Sequence, residues 1–101
     1  MHTTTLVDLI VPDVEAGLPM DHVFIVMNLI ETDLLKMSVN LTEENQIVCV
    51  LYNALCALNF LHSTGLMHRD IKGNNFLVDK DLNVRICDFG FTRPTLNKKK
   101  K

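Results

Sequence analysis

Four polar side chains in the second half of the sequence could together act on a phosphate group. Asp70 lies two residues before Lys72 and five before Asn75, and Asp88 follows a short apolar run. A carboxylate can place a hydroxyl group and receive its proton, and a lysine can neutralise phosphate charge. Amide and carboxylate oxygens, here from Asn75 and Asp88, are ligands that Mg²⁺ prefers. Asp and Asn are also common in ordinary turns, where they hydrogen-bond to their own backbone.

Two predicted strands separate Asn75 from Asp88. Residues 76–78 and 84–87 are short, mostly apolar runs, and the polar stretch 79–83 between them is typical of a hairpin loop. The two ends of an antiparallel hairpin lie side by side. The pattern therefore predicts that Asn75 and Asp88 can share one ion.

A long helix is predicted immediately before this region. Thr42 is a suitable N-cap, the helix runs to Ser63, and Gly65 stands where a C-terminal cap belongs. The apolar positions cover nearly the whole circumference, which is typical of a helix buried on all sides. A membrane span is disfavoured, because the apolar core is short and Asn53 and Asn59 interrupt it. The apolar positions are Ile47, Val48, Val50, Leu51, Leu55, Leu58, Phe60 and Leu61.

The first forty residues predict two strands, a loop and a short helix. Residues 1–5 are polar and are expected to fray. Residues 6–11 predict a strand, and 12–22 predict a loop because they contain Gly, Pro and several acids. The continuous β-branched and apolar run 23–27 is typical of a buried strand, and 34–39 could form a short helix.

The composition indicates one small intracellular domain. The chain has 101 residues and a net charge of −2, so nothing global points to nucleic acid or an anionic membrane. Its three cysteines, Cys49, Cys56 and Cys87, form no Cys-x-x-Cys pair, and no secretory signal precedes them. They are therefore interpreted as reduced thiols. The four lysines at 98–101 predict a solvated end or a localisation signal.

The motifs between residues 67 and 90 resemble the catalytic and metal-binding loops of eukaryotic protein kinases. The sequence has His-Arg-Asp at 68–70, an Asn five residues after the Asp, and Asp-Phe-Gly at 88–90. The resemblance implies an α+β fold that is part of a protein kinase domain. Residues 1–30 would form the end of the N-lobe and the hinge, and residues 31–101 would begin the C-lobe.

The resemblance also implies a role for each polar side chain. Asp70, Lys72 and Asn75 are the expected catalytic residues, with Asp70 as the base and Lys72 in contact with the transferred phosphate. Asn75 and Asp88 would hold magnesium. A lysine at position 72 is typical of serine/threonine kinases. Gly73 stands where the family usually has proline, and this change loosens the loop.

Residues 28–34 resemble the hinge of a kinase, and with residues 24–26 they resemble the mitogen-activated protein kinase group. Met27 would gate the back of the nucleotide pocket, Asp33 would lie near the ribose, and Leu77 would lie under adenine. The alternative is a strand followed by a helix with Thr32 or Asp33 as its N-cap. The residues expected to bind ATP are Met27, Asn28, Leu29, Ile30, Asp33, Lys72, Leu77 and Asp88.

The expected cofactors are ATP and Mg²⁺, and the expected partners are a protein with a Ser/Thr acceptor and an upstream activating kinase. Neither nucleic acid nor a membrane is an expected partner, and the expected location is intracellular, with the cytoplasm first and the nucleus as a second compartment.

The four glycines are not spaced as a phosphate loop, and no Ala-Pro-Glu is present. We therefore expect a fragment that is inactive alone. One alternative is a non-catalytic remnant that acts as a binding or interfering module. Another is an unrelated magnesium-dependent phosphatase or nuclease, which lacks the further carboxylates of a two-metal site.

Overall fold

The computed structural model describes residues 2–12, 17 and 22–96, which contain short strands, one long helix and one short helix. The predictions for 98–101 and for most of the 12–22 loop lie outside the described residues. The strands are β1 (Leu6–Ile10), β2 (Phe24–Met27), β3 (Thr32–Asp33), β4 (Leu66–Met67), β5 (Phe76–Val78), β6 (Val84–Ile86) and β7 (Arg93–Pro94). The helices are α1 (Leu34–Met37) and α2 (Glu44–Ser63), and Gly73–Asn75 forms a 3₁₀ turn.

Within the described part of the chain, the strands form three small sheets. β1 pairs antiparallel with β2, and β4 pairs antiparallel with β7. The third sheet has the order β3-β5-β6, and its neighbouring strands are also antiparallel. The predicted hairpin is confirmed as β5 and β6, although its second strand ends at Ile86, one residue earlier than expected.

The core lies between one face of α2 and one face of the β5–β6 hairpin. The buried helix residues recur at intervals of three or four, which places them on one stripe, and the buried strand residues alternate. The prediction that α2 is buried on all sides is wrong, since Leu51, Tyr52 and Leu55 remain 58%, 66% and 56% exposed. Among the described residues, only the face of α2 toward the hairpin is covered. The core residues are Val50, Ala54, Ala57, Leu61, Phe76, Val78, Val84 and Ile86.

The prediction that β2 is a buried strand is also wrong. Phe24 and Ile25 are each 62% exposed, and every residue of β1 and β2 is exposed. The pair forms a two-stranded ribbon that no second layer covers within the described residues. A continuous apolar run predicts burial only where such a layer exists.

Residues 2–5 are anchored rather than frayed, contrary to expectation. The N–H of Ile86 donates to the carbonyl of His2 at 2.9 Å, and the N–H of Thr4 donates to the carbonyl of Ile86 at 3.3 Å. The side chain of Arg85 donates to the carbonyl of Thr3, and the His2 ring lies 5.2 Å from that of Phe60. The free edge of β6 offers backbone groups that need partners, and this segment supplies them.

The ends of α2 show which capping predictions hold. The predicted N-cap, Thr42, is wrong by one residue, because the carbonyl of Glu43 accepts the first helical hydrogen bonds and the helix begins at Glu44. The predicted C-terminal cap is confirmed. Gly65 has a φ of +78° and its N–H donates to the carbonyl of His62.

By length and composition alone, α2 is able to cross a membrane. One such helix is weak evidence for a membrane span, because the core helices of other proteins meet the same criterion. Four residues of α2 belong to the core described above.

Candidate functional site

A sharp turn after β4 buries the side chain of His68 and leaves that of the next residue, Arg69, exposed. Arg69 has a φ of +67°, which non-glycine residues rarely adopt. His68 is 1% exposed, whereas Arg69 is exposed. The Asp70 N–H donates to Nδ1 of His68 at 3.1 Å, so the proton of the neutral ring is on Nε2, which donates to the carbonyl of Cys87 at 2.9 Å. His68 therefore joins this loop to the segment before Asp88.

The loop brings together the three predicted catalytic residues. Nδ2 of Asn75 donates to the Asp70 carbonyl at 2.8 Å and to Asp70 Oδ2 at 3.2 Å. Lys72 Nζ lies 3.8 Å from Asp70 Oδ1, which is a partly exposed and therefore weak ion pair. Asn75 is 5% exposed, so its amide is held in one orientation. Among the described residues no protein donor bonds to its Oδ1.

The hairpin places Asp88 beside the backbone of Asn75. The Cys87 N–H donates to the carbonyl of Asn75 at 3.0 Å, which confirms that the two ends of the hairpin meet. Asp88 has a φ of +59° and is exposed, and its Oδ1 lies 3.4 Å from the N–H of Gly90. In the described ranges no group of three or more His, Cys, Asp or Glu side chains could hold a metal. An amide oxygen and one carboxylate are a donor set that suits Mg²⁺.

Asp33 is the N-cap of α1, as one of the two interpretations of the sequence predicted. Its Oδ1 accepts from the N–H of Lys36 at 2.9 Å, and its Oδ2 lies 3.8 Å from Lys36 Nζ. Asp33 also pairs with Leu77 across β3 and β5. Leu77 lies on the opposite face of β5 from the buried Phe76 and Val78, because successive strand side chains alternate. Asp33 and Leu77 therefore lie next to each other outside the core.

The remaining residues expected at the nucleotide lie at the end of β2 and in the segment between β2 and β3. The N–H of Asn28 donates to the carbonyl of Thr5 at 3.3 Å, which extends the β1–β2 pairing. Met27 is 52% exposed and Leu29 is 91% exposed, while Ile30 is half-buried. No hydrogen bond or ion pair joins residues 27–30 to the loop of residues 68–75 within the described residues.

Cys87 is a site residue that the motif analysis missed. Burial raises the pKa of its thiol, and the charges of Asp88 and Asp33 raise it further. Cys87 directly follows β6, which belongs to the same three-stranded sheet as Asp33 of β3. Its position directly before Asp88 was visible in the sequence, but its place relative to Asp33 depends on the strand order β3-β5-β6.

Arg69 makes a second contact that the motifs did not predict. Its Nε donates to the carbonyl of Phe91 at 2.7 Å. β4, which precedes Arg69, also pairs with β7, which follows Phe91. These contacts hold the chain beyond Asp88 against the loop of residues 68–75. They join residues more than twenty positions apart, which no local pattern could reveal.

Comparison with known proteins identifies the family. Residues 2–101 match the model of the protein kinase domain. The chain belongs to the protein kinase family. It is 37% identical over 76 residues to the mitogen-activated protein kinase HOG1 of Exserohilum turcicum and to the mitogen-activated protein kinase sty1 of Schizosaccharomyces pombe. These alignments cover 74% of this chain but only 23% and 22% of the two relatives, so the chain spans less than a quarter of their length.

Proposed function

We propose that this chain provides the catalytic-loop and metal-binding part of a serine/threonine kinase of the mitogen-activated group. The complete domain would transfer the γ-phosphate of ATP to a protein hydroxyl. The observation that carries the proposal is the buried amide of Asn75, which bonds to both the carbonyl and the carboxylate of Asp70 while Lys72 lies 3.8 Å from that carboxylate. Family membership supports it independently.

In this proposal Asp70 orients the acceptor hydroxyl and receives its proton. The hydroxyl oxygen forms the new bond to the γ-phosphorus, and the bond to the bridging oxygen of ADP breaks. Asn75 keeps the Asp70 carboxylate in place through its Nδ2, and Lys72 neutralises charge on the phosphate oxygens.

In the same proposal Asn75 and Asp88 would be the protein ligands of Mg²⁺. The Nδ2 of Asn75 is used by Asp70, so its Oδ1 is the atom that would bind Mg²⁺. Asp88 supplies the charged ligand. When bound, Mg²⁺ neutralises the phosphate oxygens of ATP. Asp33 would contact the ribose through oxygen lone pairs that its cap leaves available, and Leu77 would lie under adenine.

The proposed partners are a protein substrate with a serine or threonine acceptor and an upstream kinase. The proposed location is intracellular, in the cytoplasm and the nucleus. For the 101-residue chain by itself we expect no turnover, because its sequence contains no glycine-rich phosphate loop to position ATP.

A chimaera tests whether these residues can catalyse phosphoryl transfer. Residues 24–94 of this chain would replace the aligned segment of the S. pombe relative, and phosphate transfer from ATP to a generic basic protein would be measured with Mg²⁺. We expect activity that Asp70→Ala abolishes. A folded chimaera that binds ATP but transfers no phosphate would contradict the proposal and support a non-catalytic binding module. The exposed apolar β1–β2 ribbon is the observation that favours that second candidate.

A further inference from the structure

Arg85 carries a positive charge that no acidic side chain pairs with in the described part of the chain. It lies half-buried in β6, and neither ion pair found there includes it. Its Nε is buried and has no hydrogen-bond partner. Its Nη1 makes two long hydrogen bonds to neutral acceptors, at 3.3 Å to the carbonyl of Thr3 and at 3.4 Å to the hydroxyl of Thr5. Because a guanidinium group has five N–H donors in a fixed fork, Arg85 has donors left for an anion.

Thr5 is the exposed residue beside this guanidinium group. Its side chain contributes a hydroxyl, whereas the half-buried Thr3 contacts Arg85 through its backbone. A phosphate ester on the Thr5 hydroxyl would place three strong acceptor oxygens within reach of Arg85. Arginine binds such a group through two parallel, charge-assisted hydrogen bonds, which are shorter and stronger than bonds to neutral acceptors. The long contact at Thr5 would therefore become an ion pair.

Thr5 also lies where three segments of the chain meet. It directly precedes β1, and its carbonyl accepts from the N–H of Asn28, which directly follows β2. Its hydroxyl contacts β6 through Arg85. Residues 2–5 are held to the same strand by backbone hydrogen bonds at Ile86. An ion pair at Thr5 would therefore fasten both this segment and the β1–β2 ribbon to β6.

We infer that Thr5 is a phosphorylation site whose phosphate is bound by Arg85. The modification uses ATP and a second protein kinase. The Thr5 oxygen forms a bond to the γ-phosphorus, the bond from that phosphorus to ADP breaks, and the hydroxyl proton goes to the base of the second kinase. The inference does not depend on the proposed function, because it concerns this chain as an acceptor.

The test of binding is the full chain made with phosphothreonine at position 5 by genetic code expansion. A nearby guanidinium group favours the doubly charged phosphate, so ³¹P NMR titration should show its pKa below the ordinary value of about 6. Amide hydrogen exchange at Ile86 reports the fastening, because this N–H donates to the carbonyl of His2 at 2.9 Å. We expect phosphorylation to slow that exchange by about three- to tenfold.

Two controls separate binding by Arg85 from a general effect of charge. Arg85→Gln in the phosphorylated chain should return the phosphate pKa to about 6 and remove the slowing at Ile86. Phosphothreonine at position 4 adds the same charge on a hydroxyl that makes no hydrogen bond to Arg85 within the described residues, and it should do neither. The same phosphate pKa in all three chains would overturn the inference, even if one chain were poorly folded.

The test of modification uses the full chain expressed in S. pombe and examined by phosphopeptide mass spectrometry. Cleavage before Asp8 releases residues 1–7, whose fragment ions distinguish Thr5 from Thr3 and Thr4. We expect phosphate on Thr5, and in Thr5→Ala we expect none on the two remaining threonines. A peptide without phosphate at Thr5 would overturn its assignment as a modification site.

Discussion

Replacing Asn75 with alanine should loosen the loop of residues 68–75 by an amount that the structure allows us to estimate. The change removes the Nδ2 bonds to the Asp70 carbonyl and to Oδ2 of Asp70, at 2.8 and 3.2 Å. A bond to a neutral group contributes about 1 kcal/mol, and one to a charged group about 1.5–3 kcal/mol. The Asp70 side chain is 22% exposed, so water partly replaces the lost donor. We therefore expect Asn75→Ala to lower the free energy of unfolding by about 2–3 kcal/mol.

Urea unfolding followed by far-UV circular dichroism measures this loss. The 20-residue helix α2 supplies the signal, which is useful because the chain has one tyrosine and no tryptophan. Asn74→Ala, at the exposed neighbouring position, is the control and should change the free energy by less than about 0.5 kcal/mol. Equal effects of the two substitutions would refute the reasoning, because they would show that the bonds to Asp70 do not hold the loop.

Three further predictions follow from individual groups. The Cys87 thiol, whose pKa is raised by burial and by nearby carboxylates, should be alkylated more slowly than exposed Cys49, and Asp88→Asn should speed its alkylation, as peptide mass spectrometry can measure. Burial alone would raise the pKa of Asp79, but hydrogen bonds from residues 83 and 81 and the charge of Arg85 lower it overall. The ionised Asp79 side chain therefore stabilises the folded chain above the ordinary carboxyl pKa of 3.8, and this stabilisation is lost as pH falls through the lowered folded pKa. In Asp79→Asn the free energy of unfolding, measured at a series of acid pH values, should not show this loss. The same acid dependence in the variant and the parent chain would contradict the prediction. The exposed apolar face of α2 should bind a hydrophobic dye, and Leu51→Lys should reduce the fluorescence while the helical signal stays the same.

The local elements around the site could be predicted because short-range patterns determine them. The turn residues between 79 and 83 predicted the hairpin, and there Oδ1 of Asp79 accepts hydrogen bonds from the N–H groups of Asp81 and Asn83. Gly65 predicted the end of α2 because a left-handed cap favours glycine. The motif spacing likewise predicted the family that the comparisons then identified.

Burial could not be predicted in the same way, because it depends on which layers pack together. The apolar runs of β2 and α2 suggested full burial, yet the described chain covers one face of α2 and neither face of β2. The docking of His2 on β6 and the contact of Arg69 with Phe91 join distant parts of the chain. The sequence allowed two interpretations of Asp33, a residue near the ribose or an N-cap. That it caps α1 could be seen only from the backbone geometry of residues 33–36.

The most direct test of the proposed site compares Asp70→Asn with Asp88→Asn in the chimaera by calorimetry of magnesium-dependent ATP binding. Asp88 is the proposed charged ligand of Mg²⁺, so Asp88→Asn should lose most of the magnesium-dependent affinity. Asp70 is proposed to face the acceptor hydroxyl, so Asp70→Asn should keep ATP binding while it loses phosphoryl transfer. If Asp70→Asn loses magnesium-ATP as severely as Asp88→Asn does, the division of roles is wrong, and both carboxylates must be treated as metal ligands.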